Sequence, residues 1–286
     1  MINAYPLTFM VGPIEITGFG ITMMLVFVVA AWLVDRELKR HGLAPDYSGD
    51  LVLGAVIGGI LGAKLWYAAL HGPASLLSRE GLVYYGGFLG GTLGVVVMGW
   101  RRRVPVRWTM HLMAPALAAG YAIGRVGCFV GGDDYGRPTD VPWAVAFPQG
   151  SPASLAGTMA TEFGVGIPAG VSPDQVLAVH PTQLYEVVIM LAVFALLWAW
   201  RTRAKGTGWL FGAYLVFAGL ERFTVEFLRA KDDRLLGGLT YAQGMSVVLV
   251  VVGFAIWTTL AAKPAVDPGE WLRRGGGDGK PAKSRV

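Results

Sequence analysis

Seven long apolar stretches limit this chain to very few folds. They run over residues 14–34, 51–70, 82–100, 111–123, 184–200, 209–228 and 241–260. Crossing a hydrocarbon core takes roughly 20 residues as a helix. Inside lipid each backbone N–H and C=O must be satisfied within the protein, so only helices and closed barrels span. A barrel needs strict polar–apolar alternation, which these stretches lack. The fourth stretch is short; it is expected to begin nearer Trp108 or to end in a broken turn around Gly124. With 54% apolar and 15% charged residues and a mean hydropathy of +0.51, an ordinary soluble domain is excluded. The expected fold is an all-α integral membrane protein of seven transmembrane helices.

Basic residues between the stretches set the orientation. Arg36, Lys39 and Arg40 follow the first, Arg101, Arg102, Arg103 and Arg107 the third, and Arg201, Arg203 and Lys205 the fifth. Those loops are read as cytoplasmic, with the N-terminus outside and the C-terminus inside. The opposite loops are poorer: Arg79 alone lies between stretches two and three, and Arg137 alone between 126 and 183. Arg229, Lys231 and Arg234 break the pattern, diluted by Asp232 and Asp233, and hint at a functional charge cluster on the outer side.

The longest loop, about 125–182, is rich in Gly and Pro and contains Trp143, Phe147 and Phe163. Loops of this length are functional or disordered, and the aromatics favour a small folded periplasmic cap between helices four and five. Residues 1–262 are therefore one transmembrane domain. Residues 263–286 are a flexible basic cytoplasmic tail holding six of the 24 Lys and Arg residues, so the net charge of +5 does not argue for nucleic acid. No Lys or Arg precedes Arg36, which reads as a retained first span rather than a cleaved signal. The single cysteine, Cys128, excludes an internal disulfide.

Charged side chains inside the apolar stretches carry the chemistry. Arg222 and Glu226 lie in the sixth, and ionisable groups at that depth usually mark a site. With Arg229 they stand at i, i+4 and i+7, one helical face, with Glu221 adjacent. A structural ion pair is the alternative, but buried ion pairs stabilise poorly. Arg125 closes the fourth stretch in Gly124-Arg125-Val126-Gly127-Cys128-Phe129, followed by Asp133, Asp134 and Tyr135. Its flanking glycines would permit a broken backbone that adds N–H donors to an anion site. A snorkelling arginine and a solvated acidic turn are the bland alternatives. Two guanidinium groups entering the membrane from different segments suggest a grip on a lipid phosphate. His180-Pro181-Thr182-Gln183-Leu184-Tyr185-Glu186 opens the fifth stretch, with Thr182 as a helix cap and Glu186 in the first turn. Gly54, Gly58 and Gly62 face the same four-residue spacing in Gly86, Gly90 and Gly94, where close helix packing is the simplest reading. Tyr84 and Tyr85 stand directly before the second set. No spacing of His and carboxylates suggests a metal, and there is no nucleotide loop.

Taken together, these blocks resemble bacterial prolipoprotein diacylglyceryl transferases. The likeness runs from about Gly18 to Leu260. It rests on Tyr85-Gly86-Gly87-Phe88-Leu89-Gly90, on Gly124 through Cys128 to Asp133 and Gly136-Arg137, on the His180 to Glu186 block, and on Glu221-Arg222-Phe223-Thr224-Val225-Glu226-Phe227-Leu228-Arg229. In the family the third-span motif begins with His where this chain has Tyr85. The family often has Asn at the position of Cys128 and Glu at that of Asp133.

The resemblance implies a multi-pass enzyme of the bacterial inner membrane that needs no cofactor. It would move diacylglyceryl from phosphatidylglycerol to the lipobox cysteine of a preprolipoprotein, form a thioether and release glycerol phosphate. Arg125 and Arg222 are expected on the phosphate, with Glu226 orienting Arg222, and Tyr85 and His180 on proton handling. Gly86, Gly87, Gly90, Cys128, Asp133, Gln183, Tyr185, Glu186 and Arg229 are expected around the substrates. Gly86 and Gly90 would make room for acyl chains. A noncatalytic lipid-binding relative and a membrane transporter are the competing readings; transporters often carry internal repeats, and none is visible here.

Overall fold

A computed structural model describes residues 2–77, 83–167, 170–203, 205–230, 234–236 and 239–274. The elements in chain order are β1 (Ile2–Asn3), β2 (Thr8–Val11), β3 (Ile14–Thr17), α1 (Gly18–Arg40), α2 (Tyr47–His71), α3 (Tyr84–Arg101), α4 (Val106–Gly131), β4 (Val145–Ala146), α5 (Ala156–Thr161), β5 (Ala178–Val179), α6 (Thr182–Trp200), α7 (Trp209–Val225), β6 (Arg234–Leu236), β7 (Leu239–Thr240), α8 (Tyr241–Ala261) and α9 (Glu270–Arg274). Helices occupy all seven expected stretches. Five of them, α1, α2, α4, α6 and α8, are long and apolar enough to cross a membrane. Arg79, Lys231, Asp232 and Asp233 of the expected loop charges lie outside the described residues.

Several boundaries differ from expectation, each for a local reason. Helix α1 begins at Gly18 rather than at residue 14, because residues 14–17 pair with β2 in an antiparallel hairpin. Helix α4 begins at Val106, close to Trp108 as one expectation had it, and is not broken: it runs 26 residues, on through Gly124. Its glycines serve contact instead, since a Cβ on Gly127 would strike the Thr22 side chain of α1. The broken-backbone anion site expected there does not exist. Helix α7 stops at Val225 and a 3-10 turn, Glu226–Leu228, follows. The start of α8 is a reciprocal cap that the sequence reading missed: Gln243 N–H donates to Thr240 Oγ1 (3.2 Å) and Thr240 N–H to Gln243 Oε1 (3.1 Å).

The chain divides into two compact units. One comprises Met1–Val28, Leu117–Arg203 and Leu210–Thr259; the other comprises Val29–Ala116, Ala204–Trp209 and Leu260–Val286. In the second unit, α2 and α3 pack through their glycines. A Cβ on Gly58 would run into the Gly90 carbonyl, and one on Gly62 into the Gly86 carbonyl. Gly86 and Gly90 thus spend their missing side chains on helix contact, and both also line an apolar groove with Leu65, Trp66, Leu89 and Leu93. The expected flexible tail is held along its first half. Val266 N–H donates to Thr207 Oγ1 (3.0 Å), Trp108 Nε1–H to the Val266 carbonyl (2.8 Å) and Ala44 N–H to the Leu272 carbonyl (2.7 Å). Leu272 is fully buried, and the Arg102 guanidinium lies 4.5 Å from the Trp271 ring centre. Residues 275–286 lie outside the described residues.

In the first unit the segment after α4 folds around its own small core of Tyr135, Val145, Phe147, Met159, Val179 and Ala230. Strands β1, β4 and β5 form its sheet. This cap starts at Gly132, not at Arg125, which belongs to α4. A close glycine contact, unremarked in the sequence, also joins α7 to α8: a Cβ on Gly219 would lie 2.8 Å from the Ser246 carbonyl.

Candidate functional site

Three chain segments meet at the end of α4. Helix periodicity puts Tyr121, Arg125 and Cys128 on one face of α4. After Gly132, with φ of 72°, the backbone turns again at Asp134, one of two described non-glycine residues with positive φ (58°). Asp tolerates that left-handed conformation better than most residues. The chain then runs as a hub strand. Gly136 N–H donates to the His180 carbonyl (2.8 Å), His180 N–H to the Arg137 carbonyl (3.0 Å) and Arg137 N–H to the Leu228 carbonyl (2.8 Å). The lead-in to α6 and the turn after α7 are thereby fixed against the same two residues, Gly136 and Arg137.

Side chains lock the junction. Thr182 is not the cap that its position suggested: Pro181 holds that place and makes no side-chain bond, while Thr182 Oγ1 donates to the Asp134 carbonyl (3.0 Å). Gln183 Nε2 donates to the Asp133 carbonyl (2.6 Å). Gln183 thereby ties the helix to the hub strand, while its Oε1 is buried without a hydrogen-bond partner among the described residues. Helix α6 starts at Thr182, so Glu186 begins the second turn instead of lying in the first.

Glu186 is the centre of the charge cluster, with no exposed side-chain surface. Arg125 Nε pairs with its Oε2; Arg229 Nη1 and Arg222 Nη1 lie 3.8 and 4.0 Å from its Oε1. Arg222 Nη2 contacts Glu226 Oε2 at 2.6 Å, and Arg229 Nε is 3.7 Å from the same oxygen. Asp134 bridges Arg125 (2.9 Å) and Arg229 (2.6 Å). These pairs overturn the bland reading of Arg125 as snorkelling; Asp134 does stand in an exposed turn, as its bland reading had it, but its carboxylate is held by two guanidinium groups. Burial works against the charge on Asp134, but Arg229 and Arg125 outweigh it and hold its carboxyl below the usual aspartate range. Burial pushes Asp133 above that range.

The arginines are not equally engaged. Every Arg125 nitrogen has a neighbour: Glu186 at Nε, Asp134 at Nη1 and the Tyr121 hydroxyl at Nη2 (3.3 Å), with Cys128 Sγ 3.8 Å from Nη1. In contrast, Arg222 Nη1 and Arg229 Nε and Nη1 are buried without a hydrogen-bond acceptor among the described residues. Both oxygens of Glu221 are in the same condition. Such groups are costly to bury unpaired and point to a ligand. Of these residues Arg229 lines a cavity of about 220 Å³, together with Asp133, Asp134, Ser151 and Phe163.

Next to Glu186 is a second, neutral group. Trp143 Nε1–H can only donate, so it gives its proton to the Tyr185 hydroxyl (2.7 Å). That hydroxyl also lies 3.2 Å from His180 Nδ1. Burial lowers the His180 pKa, so the ring is neutral near pH 7. Trp143, Tyr121 and Asp134 are site residues that the sequence reading did not select. The i, i+4 spacing of Tyr121 to Arg125 was the available signal; nothing local distinguished Trp143.

Tyr85 belongs to the other unit. It sits in the first turn of α3, half exposed, with Gly86 buried behind it and Gly87 facing Ala63. Two groups have the composition of metal sites, Glu37 with His41 and His111, and Cys128 with Asp133 and Asp134. Each already receives a guanidinium: Arg40 Nε donates to Glu37 Oε2 (3.0 Å), and Arg125 reaches Cys128 and Asp134.

Fold and site together define a helical membrane protein with a buried arginine–carboxylate centre at the junction of three helix ends. Residues 6–259 match the family model described as prolipoprotein diacylglyceryl transferase, and the chain belongs to that family. A relative from Stenotrophomonas maltophilia (strain R551-3), a phosphatidylglycerol–prolipoprotein diacylglyceryl transferase, is 34% identical over 92% of this chain and 94% of its own length. Proteins of the same name from Pseudomonas putida (strain GB-1) and Bordetella bronchiseptica (strain ATCC BAA-588 / NCTC 13252 / RB50) are 32% and 30% identical over 92% and 91% of this chain, and 97% of each relative. The resemblance read from the four sequence blocks is thus borne out.

Proposed function

We propose that this chain transfers the diacylglyceryl group of phosphatidylglycerol to the lipobox cysteine of a preprolipoprotein in the bacterial inner membrane. Seven spans carry the site, and the cap faces the periplasm. The observation that supports this most is the set of N–H groups on Arg222 and Arg229 that have Glu186 or Glu226 within 4.0 Å but no hydrogen-bond acceptor among the described residues. A phosphodiester is an anion with oxygens suited to them. The phosphate rests on Arg222 and Arg229, and Arg125 joins them when the lipid binds, exchanging Asp134 for a phosphate oxygen. Glu226 holds Arg222 in place through its 2.6 Å contact.

The substrate thiol loses its proton, and the sulfur attacks the glycerol carbon bonded to phosphate. A C–S bond forms, the C–O bond breaks, and the electron pair leaves on glycerol phosphate. Charge grows on the departing oxygens, where fixed guanidinium groups stabilise the transition state more than the ground state. The thiol proton ends on the departing glycerol phosphate, relayed by the Tyr85 hydroxyl from α3. His180 shares in the proton handling. Cys128 is not a nucleophile, because the reacting thiol belongs to the peptide.

The test is direct. Purified protein is incubated with phosphatidylglycerol and a lipobox peptide, and the peptide mass is followed. A gain of one diacylglyceryl unit with release of glycerol phosphate supports the reading. Lipid binding without transfer selects the noncatalytic alternative.

A further inference from the structure

The hairpin before α1 is amphipathic in a way the sequence reading did not register. Its register pairs Phe9 with Ile16 and Val11 with Ile14 on one face, and Thr8 with Thr17 and Met10 with Glu15 on the other. Directly paired residues share a face. One face is therefore wholly apolar and the other mostly polar. Phe9, Val11 and Ile14 are 43%, 54% and 64% exposed, so the protein leaves that apolar face uncovered.

An isolated two-stranded ribbon is marginal in water, and this one has little else to hold it. Its base is pinned: Leu7 N–H donates to the Val130 carbonyl (2.9 Å) and Gly18 N–H to the Leu7 carbonyl (2.6 Å). Beyond that base the four-residue strands project freely. Helix α1 follows Thr17 without a linker, and its exposed Phe19, Ile21, Met24, Leu25 and Val28 continue the apolar surface. Lys and Arg are absent from the first 35 residues. The ribbon edges carry unpaired backbone groups, which forbids burial in hydrocarbon but permits the headgroup boundary.

We infer that the Thr8–Thr17 ribbon lies flat on the bilayer leaflet that α1 enters, with Phe9, Val11, Ile14 and Ile16 turned into the acyl boundary. The occupant of this face is lipid. The ribbon is rooted at Val130, five residues beyond Arg125, so it forms a lipid-contacting rim beside the charge cluster. The inference requires only that α1 spans the membrane and does not depend on the transfer reaction.

Val11→Cys and Glu15→Cys, each made with Cys128→Ser and labelled with an environment-sensitive fluorophore, separate the two faces. The proteins are placed in vesicles of phosphatidylglycerol and phosphatidylethanolamine, and circular dichroism checks that helix content is kept. The expected result is a blue-shifted label at 11, quenched by shallow spin-labelled lipid, and a label at 15 that is quenched by aqueous iodide. Equal iodide access at both positions overturns the inference. Equal lipid quenching at both also overturns it, because the ribbon would then be inserted rather than laid flat.

Discussion

Replacing Glu186 by Gln removes one charge from the centre of the cluster with almost no change of shape. In the intact protein Arg125, Arg222 and Arg229 are paired with Glu186, Glu226 and Asp134, three cations against three anions. The variant leaves three against two. Removing one partner of a buried ion pair costs about 3–5 kcal/mol. At roughly 2–4 °C per kcal/mol for a chain of a few hundred residues, the thermal midpoint in neutral detergent should fall by about 6–20 °C. The missing anion can be supplied from outside, so phosphatidylglycerol should restore more stability to Glu186→Gln than to the parent, whereas phosphatidylcholine should not. The assay is thermal unfolding in detergent against titrated lipid. An unchanged midpoint without lipid, or equal recovery with both lipids, refutes the view of Glu186 as the shared counter-ion.

Other consequences are as specific. A Cβ on Gly136 would lie 2.6 Å from the Leu228 carbonyl and 2.8 Å from both His180 Cβ and Thr182 Cγ2. Gly136→Ala should cost about 1–3 kcal/mol by overpacking and abolish lipidation while the protein stays in the membrane; full activity would show that the hub strand tolerates movement. Asp134 has a depressed pKa, so its bridge contributes stability above the ordinary aspartate value of 3.8 and loses it as pH falls through the lower, folded value. Asp134→Asn should remove that acid-side loss, seen as a flatter midpoint-against-pH curve below about pH 4. Tyr85→Phe should slow transfer and Tyr85→His should be tolerated; unaltered activity of the Phe variant removes the phenol from the proton pathway.

The helical frame was legible because hydrocarbon imposes length and apolarity on each span, which is why the helices fall where the stretches do. Arg125, Arg222 and Glu226 were legible for the converse reason, since charge is expensive at those positions. What sequence hid was non-local. The pairing of residues 136–137 with 180 and 228 depends on three distant segments, so Asp134 read as a loop acid and Thr182 as a cap. The hairpin hid because Ile14 and Ile16 continue the apolar run of α1 in composition while obeying a period of two. The tail looked disordered because its two anchors, Val266 and Leu272, are isolated among glycine, proline and charge.

The central claim is that Arg125 and Arg222 act on one anion. A double-mutant cycle on phosphatidylglycerol affinity in detergent micelles tests it, using Arg125→Ala, Arg222→Ala and the pair. Each single variant should lose more than about tenfold. The pair should fall short of the product of the single losses by about 5-fold or more, a coupling of roughly 1 kcal/mol or above. Losses that multiply to within about twofold would mean that the two arginines serve separate ends, and would contradict the account.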